Sequence, residues 1–428
     1  MQKTVLTKAV AVALATLGAG AAFAQSSVTL YGNIDVALDS VHKGQGDVSG
    51  TIFPASAAAN KSTVTRVTPS LSSQNAIGVK GVEDIGGGVK ANFVLEGQMS
   101  PDTGAQSGQD SRMWGRQAYV GLTTPGGEVR IGRQYAPMFY SYAFTTVEAL
   151  GGADMQALGL ATNNLQIRQD NQISYWLKDG GLTAVVSYSP QAGVDQKISS
   201  NRGQNTAAAT NGQIVGGAAA GTEAAGTQGR GQTVGLMASY AVDAAMQFNG
   251  AYHQNKYGNA QLVISSNGAA LYSLDKATAV SLGAKYVVPG LGTVIGANLH
   301  QTRFKMDTLP TIKVSTLGLG VKHPIDNFAV GAQFGYTKFT GGSNGSDKVL
   351  MLIGDYNFSK RTKVYIRAGV LKDDRGDLTT TEAGVKLAGG PVPLLGGLGS
   401  TESPFFAGGG ANLDTTARVV ALGVRHQF

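Results

Sequence analysis

Side chains alternate in character every second residue from one end of this chain to the other, and few folds accept such a pattern. Val28, Leu30, Ile34, Val36 and Leu38 alternate with Thr29, Tyr31, Asn33 and Asp35. Val234, Leu236, Ala238 and Tyr240 alternate with Thr233, Gly235 and Ser239; Phe328, Val330, Ala332, Phe334 and Tyr336 with Ala329, Gly331, Gln333 and Thr337. A period of two puts each set on one face of a β-strand. One face is consistently apolar and the other small or polar, as suits a strand with lipid on one side and a water-filled lumen on the other.

The connections also alternate. Short ones are Glu83–Gly88, Thr124–Gly127, Lys178–Gly181, Ala241–Ala244, Val288–Gly292, Lys322–Asp326 and Asn357–Arg361, where Gly, Pro and Asp set tight turns. Mostly longer, irregular ones separate them, roughly 42–72, 100–111, 134–167, 191–230, 258–276, 305–311, 341–347 and 372–415. Seven turns and eight loops imply sixteen strands, near 27–41, 73–83, 88–99, 112–124, 127–133, 168–178, 181–190, 231–241, 245–257, 277–288, 292–304, 312–322, 327–340, 348–358, 362–371 and 416–428. An even number returns both termini to one side, as closure requires, and closure gives every backbone polar group a partner in hydrocarbon. The expected fold is all-β: a 16-stranded antiparallel transmembrane β-barrel with short turns on one side and long loops on the other. The soluble alternatives, a secreted β-sandwich or β-propeller, leave that rhythm and the polar inner face unexplained.

Residues 1–24 read as a signal peptide: a short basic start with Lys3 and Lys8, an apolar stretch from Ala9 to about Ala19, and Ala22-Phe23-Ala24 as the cleavage site. The mature chain, 25–428, is then a single transmembrane barrel domain beginning at Gln25, and loss of two lysines lowers the formal charge from +7 to +5. No later stretch has about 18 consecutive apolar residues, so no transmembrane helix is expected. The absence of cysteine excludes disulfides and thiolate metal sites. The basic excess is diffuse, with no Lys/Arg run, which argues against a nucleic-acid partner. Five histidines, at 42, 253, 300, 323 and 426, lack serine and carboxylate partners at motif spacing, and no His-Glu-x-x-His occurs; neither an enzyme nor a cofactor is expected.

The last segment, Arg418–Phe428, places Val420, Leu422, Val424 and Phe428 on one face and ends in an aromatic residue, which resembles the outer-membrane barrels of Gram-negative bacteria. The resemblance sharpens at Ser26–Asp35, Gly78–Ala91, Trp114–Leu122, Ile131–Tyr135 and Gly423–Phe428. These segments are similar, in order, to those of the general porins of β-proteobacteria. That family implies a homotrimer of 16-stranded barrels in outer-membrane lipid and lipopolysaccharide, with a third long loop folded into each lumen. It also implies passive diffusion of small hydrophilic solutes and ions, and a terminal aromatic, here Phe428, read by the barrel-assembly machinery.

A 16-stranded barrel leaves an aqueous lumen, and charges at its narrowest point filter what passes. In the resembled family, wall arginines oppose acids on the inward loop. Arg116, in Gly-Arg-Gln-Ala-Tyr, and Arg168, on the face of Asp170, Gln172 and Ser174, match two such arginines. Arg130 alternates with Val129 and Ile131 and should point inward; Arg133 opens the loop 134–167, and Arg112 shares the face of Arg116, opposite Tyr119. Glu148 and Asp154, flanking Gly151-Gly152, are the expected acidic side. Asn33, Asp35, Glu96, Asp170 and Arg367 are expected to line the lumen, while Tyr31, Tyr119 and Trp176 are assigned girdle or packing roles. The chain departs from the family at Ala76, where many relatives carry an arginine, so its basic wall is thinner unless Arg367 or Lys363 compensates. A channel selective for an organic acid or a sugar, or a barrel with adhesive loops, would share the fold.

Overall fold

The computed structural model describes residues 26–43, 62–69, 71–107, 112–147, 167–190, 231–263, 271–306, 311–340, 345–375 and 416–428. The expected signal peptide and the residues Glu148 and Asp154 lie outside them. The first half contains β1 (Ser27–Lys43), β2 (Ser62–Pro69), β3 (Ala76–Gly86), β4 (Val89–Ser100), β5 (Ala105–Ser107), β6 (Gln117–Thr124), β7 (Gly127–Tyr135), a short helix α1 (Pro137–Ala143), β8 (Arg168–Asp179) and β9 (Leu182–Ser189). The second half contains β10 (Thr233–Ala241), β11 (Met246–Val263), β12 (Leu271–Val287), β13 (Val294–Met306), β14 (Ile312–Ile325), β15 (Phe328–Thr340), β16 (Gly345–Asn357), β17 (Thr362–Arg375) and β18 (Thr416–Gln427).

The eighteen strands occupy sixteen places around a closed antiparallel barrel. β2 and β3 share one place: β2 pairs with residues 36–43 of β1, and β3 with residues 27–33. β5 and β6 likewise share the edge of β4, at 98–100 and 90–96. On its other edge β1 pairs with β18, from Asn33 opposite Gln427 to Lys43 opposite Ala417. The ladder ends where Gly32 and Phe428 exchange backbone hydrogen bonds of 3.1 Å each. The Phe428 ring lies across Gly32, which leaves no room for a Cβ there.

Exposure follows the alternation, with the usual order of a soluble protein reversed. On β10, Thr233, Gly235, Met237 and Ser239 are buried while Val234, Leu236 and Tyr240 are exposed. On β18, Val420, Leu422 and Val424 are all more than half exposed. His253, Asn255, Thr302 and Arg367, by contrast, are fully covered inside. Outward apolar side chains and an inward polar wall are what lipid on the outside and water on the inside require. Tyr240, Phe248, Phe328, Phe358 and Phe428 are exposed at the short-turn rim, where aromatic residues form the interfacial girdle.

The tight turns have local causes. Asp243 Oδ1 accepts from the backbone of Ala245 and Met246, at 2.8 and 2.7 Å, and Ser359 Oγ accepts from Arg361 and Thr362, at 3.1 and 3.0 Å. These side chains take the place of backbone acceptors in the turn.

Three expectations need correction. Residues 62–69, read as loop, are β2; the run Ser62-Thr-Val-Thr-Arg-Val-Thr68 is rich in β-branched residues and completes the wall beside the upper half of β1. Residues 112–116, read as strand, form a turn, and β6 starts at Gln117. Alternation therefore cannot be counted back from Tyr119 to Arg116, and both residues face inward rather than opposite ways. Tyr31 and Trp176 also face inward.

Because Leu422 faces outward mid-strand, Leu422→Arg should destabilise the barrel by about 2–4 kcal/mol, the cost of a cation in the lipid midplane. Reversible urea unfolding in a lipid bilayer measures it.

Candidate functional site: an arginine-lined inner wall

The inner wall formed by β3, β4, β6, β7 and β8 gathers charge. Three local irregularities place it there. The first is the turn 112–116, whose Arg116 backbone N–H donates to the Glu96 carbonyl at 3.0 Å and turns the side chain inward. Arg116 Nε donates to Glu96 Oε1 at 2.5 Å, and Tyr31 donates to the other carboxylate oxygen at 2.8 Å. The guanidinium of Arg116 stays charged and is paired with the Glu96 carboxylate.

The second lies between β7 and β8, where the register shifts between Gly132 and Gln134 and two residues of β8, Asp170 and Asn171, stand opposite Arg133 alone. Gly132 adopts φ 131°, and a Cβ there would meet the Ala118 carbonyl and come within 2.9 Å of Tyr119 Cα. With this break in the ladder, Arg133 faces inward as well as Arg130. Arg133 Nε donates to the Gly115 carbonyl at 2.8 Å, its Nη1 pairs with Asp170, and Arg112 grips both Asp170 oxygens at 2.7 Å. Arg130 forks onto Glu128 through two 2.8 Å bonds, with its guanidinium 4.3 Å from the centre of the Trp176 ring and 5.0 Å from that of Tyr119. A planar cation stacked on aromatic faces keeps its orientation at small entropic cost.

The third is the interruption at 71–75, which brings Gln74 inward. Its Oε1 accepts from Arg116 at 2.7 Å and from Arg168 at 3.4 Å. Arg168 also donates to the Tyr135 hydroxyl at 3.3 Å and lies 4.9 Å from that ring's centre. Within this group five guanidinium groups, of Arg112, Arg116, Arg130, Arg133 and Arg168, meet three carboxylates, of Glu96, Glu128 and Asp170.

Across the barrel, the described start of the third long connection lies against the inward residues of β10–β14. Proline opens α1 at its first turn, where its missing N–H costs nothing. Ser141 donates to Asn249 at 2.8 Å and sits 2.9 Å from Ser281 Oγ. The Tyr142 ring centre is 5.1 Å from that of His300, and burial holds its phenol well above the ordinary range, hence neutral. Gly296 faces the Thr145 carbonyl so closely that a side chain there would collide with it.

The remaining expected residues fall elsewhere. Arg367 is fully buried and pairs with Asp355 at 2.8 Å; Lys322 and Lys363 share that carboxylate at 2.8 and 2.9 Å. Asp35 faces inward beneath the segment 71–75. Asn33 donates to the Gln74 carbonyl at 3.0 Å, and Ala76 is buried on the inward face of β3. Gln74, Tyr135 and Glu128 were not singled out from the sequence, and Tyr31 was given only a girdle or packing role. For Glu128, its spacing of two from Arg130 was the available signal.

The family model described as Gram-negative porin matches residues 9–377. The chain belongs to the Gram-negative porin family. As a porin, it is an outer-membrane channel for passive diffusion of small hydrophilic solutes rather than an enzyme. The porin is 28% identical over 429 residues to outer membrane porin protein 32 of Delftia acidovorans, covering 97% of this chain and 99% of that one. It is 36% identical over 183 residues to an outer membrane porin protein of Bordetella pertussis, a match spanning 41% of this chain and 44% of the relative. In fold it is similar to the anion-selective porin from Comamonas acidovorans, with a TM-score of 0.64 at 23% identity, covering 94% of this chain and all of that one.

Gly132→Ala in the porin should cost more than about 1 kcal/mol, because alanine fits neither the backbone angle nor the space beside Ala118. Urea unfolding of the folded barrel reads the loss.

Proposed function

We propose that the porin leans toward anions and that the arginine-lined wall is its filter. The supporting observation is the excess of guanidinium groups over carboxylates, five against three, held on one inner wall. Arg116 and Arg168 form the centre of the basic side, with Arg130, Arg133 and Arg112 around them. The third loop folds into the lumen and brings Glu148 and Asp154 opposite these arginines. Opposed charges across a narrow aqueous gap create a transverse field that orients dipolar solutes and favours one sign of ion. The described loop contacts, Ser141 with Asn249 and Ser281, support that path for the loop.

The mature chain begins at Gln25 and works as a homotrimer in contact with lipopolysaccharide. Phe428, at the seam, serves as the signal for the assembly machinery. A narrower reading, a channel selective for organic acids, draws on the same arginines, since guanidinium forks match carboxylates. Block of chloride current by low concentrations of a dicarboxylate would favour it.

In planar bilayers the purified porin should give conductance steps that scale with salt, and a barrel that never conducts contradicts the proposal. Neutralising Arg116 and Arg168 together as glutamines should move the reversal potential in a salt gradient toward cations. Neutralising Glu148 and Asp154 should move it toward anions; no movement would remove those two acids from the filter.

A further inference from the structure

The wall strand beside β1 is broken. β2 leaves the ladder after Pro69 and β3 resumes at Ala76, and residues 71–75 turn into the barrel between them. A break in a transmembrane strand exposes backbone groups, so it survives only where something else satisfies them. Here Asp35 does so: its Oδ2 accepts from the backbone of Ser72 at 2.9 Å and Ser73 at 2.6 Å. Asp35 and Asn75 also exchange bonds, from Asp35 N to Asn75 Oδ1 at 2.5 Å and from Asn75 Nδ2 to the Asp35 carbonyl at 3.1 Å. Across the seam, the Tyr365 hydroxyl donates to Asp35 Oδ1 at 2.5 Å, and Arg367 donates to Ser72 Oγ at 3.3 Å. Leu71 and Asn75 are fully buried. The segment is thus tied down at both ends, with one residue, Gln74, projecting between them.

Gln74 reaches the arginine group. One amide oxygen accepts from Arg116 and from Arg168, whose guanidinium groups also flank Tyr135, at 5.8 and 4.9 Å from its ring centre. Two like charges held this close repel, and an acceptor between them offsets part of that cost. A carboxylate would do this but would cancel one of the two positive charges; an amide oxygen supplies the lone pairs and cancels none. Among the described residues, Arg168 Nε is buried without an acceptor, so Gln74 does not exhaust the donors of the pair.

We infer that Gln74, held inward by the strand break and its Asp35 latch, tunes the pore's ion specificity by joining Arg116 to Arg168 without adding a negative charge beyond that of Glu96. The inference rests on the reading of the arginine-lined wall as the filter. It makes the strand break at 71–75, together with the arginines, a place where selectivity is set.

The test uses the whole porin in planar bilayers under a salt gradient. Gln74→Glu should lower the anion-to-cation permeability ratio by about twofold or more, the effect of one added charge between two filter cations. The control is Gln247→Glu on the inner wall of β11, where the amide donates to Ser239 at 2.8 Å; its reversal potential should stay close to that of the parent. The chain contains no cysteine, so Gln74→Cys gives a single thiol for labelling in the assembled channel, which keeps the test open if the glutamate variant folds poorly. An anionic thiosulfonate should lower the preference for anions and a cationic one should raise it. Unchanged potentials at position 74 together with a changed one in Arg116→Gln overturn the inference and leave the filter standing. Unchanged potentials in all of them overturn both.

Discussion

The backbone of this chain must bond to itself wherever lipid surrounds it, and that single requirement organises the rest. An unpaired N–H or carbonyl in hydrocarbon costs several kcal/mol, so the sheet closes on itself, and β1 carries ladders on both edges. Closure divides the side chains into an outward and an inward set. The outward set is apolar to match the lipid, and the inward set is freed to be polar. The seam at Gly32 and Phe428 is where this condition is completed, with a flat ring over a residue that has no side chain.

The same requirement explains where the barrel can be irregular. Departures from the ladder fall at 71–75, at 112–116 and beside Gly132, and each has its backbone or side chains satisfied from the inside. These are also the places that supply Gln74, Arg116 and Arg133. Regular strands can present side chains only at fixed intervals along the wall. Irregular segments can bring several long polar side chains to one level. Part of the channel's charge is therefore gathered where the β-structure is least regular, with acids spaced among the arginines.

Much of this was legible beforehand. The seven tight turns, the sixteen places around the barrel and the inward direction of Arg130, Arg168 and Glu96 follow from alternation and from Gly, Pro and Asp at the turns. What alternation could not carry was anything across an irregularity. A strand extended through 112–116 sets Arg116 opposite Tyr119, and Arg133 could not be oriented without the irregular backbone at Gly132 and the facing bulge of β8. The strand 62–69 was hidden in a long connection because it ends in a break rather than a turn. Gln74 carries no charge and belongs to no motif, so only the hydrogen bonds that converge on it mark it out. Ala76 is buried on the inward face of β3, and the wall beside it holds the five arginines already expected there.

The central claim is that a net positive inner wall makes this porin prefer anions. The reversal potential of the unmodified porin in a planar bilayer, under a gradient of potassium chloride, measures that claim directly. The account predicts a potential of the sign set by chloride, growing as the ionic strength on both sides is lowered and screening weakens. A potential of the sign set by potassium, or none at all, would contradict it.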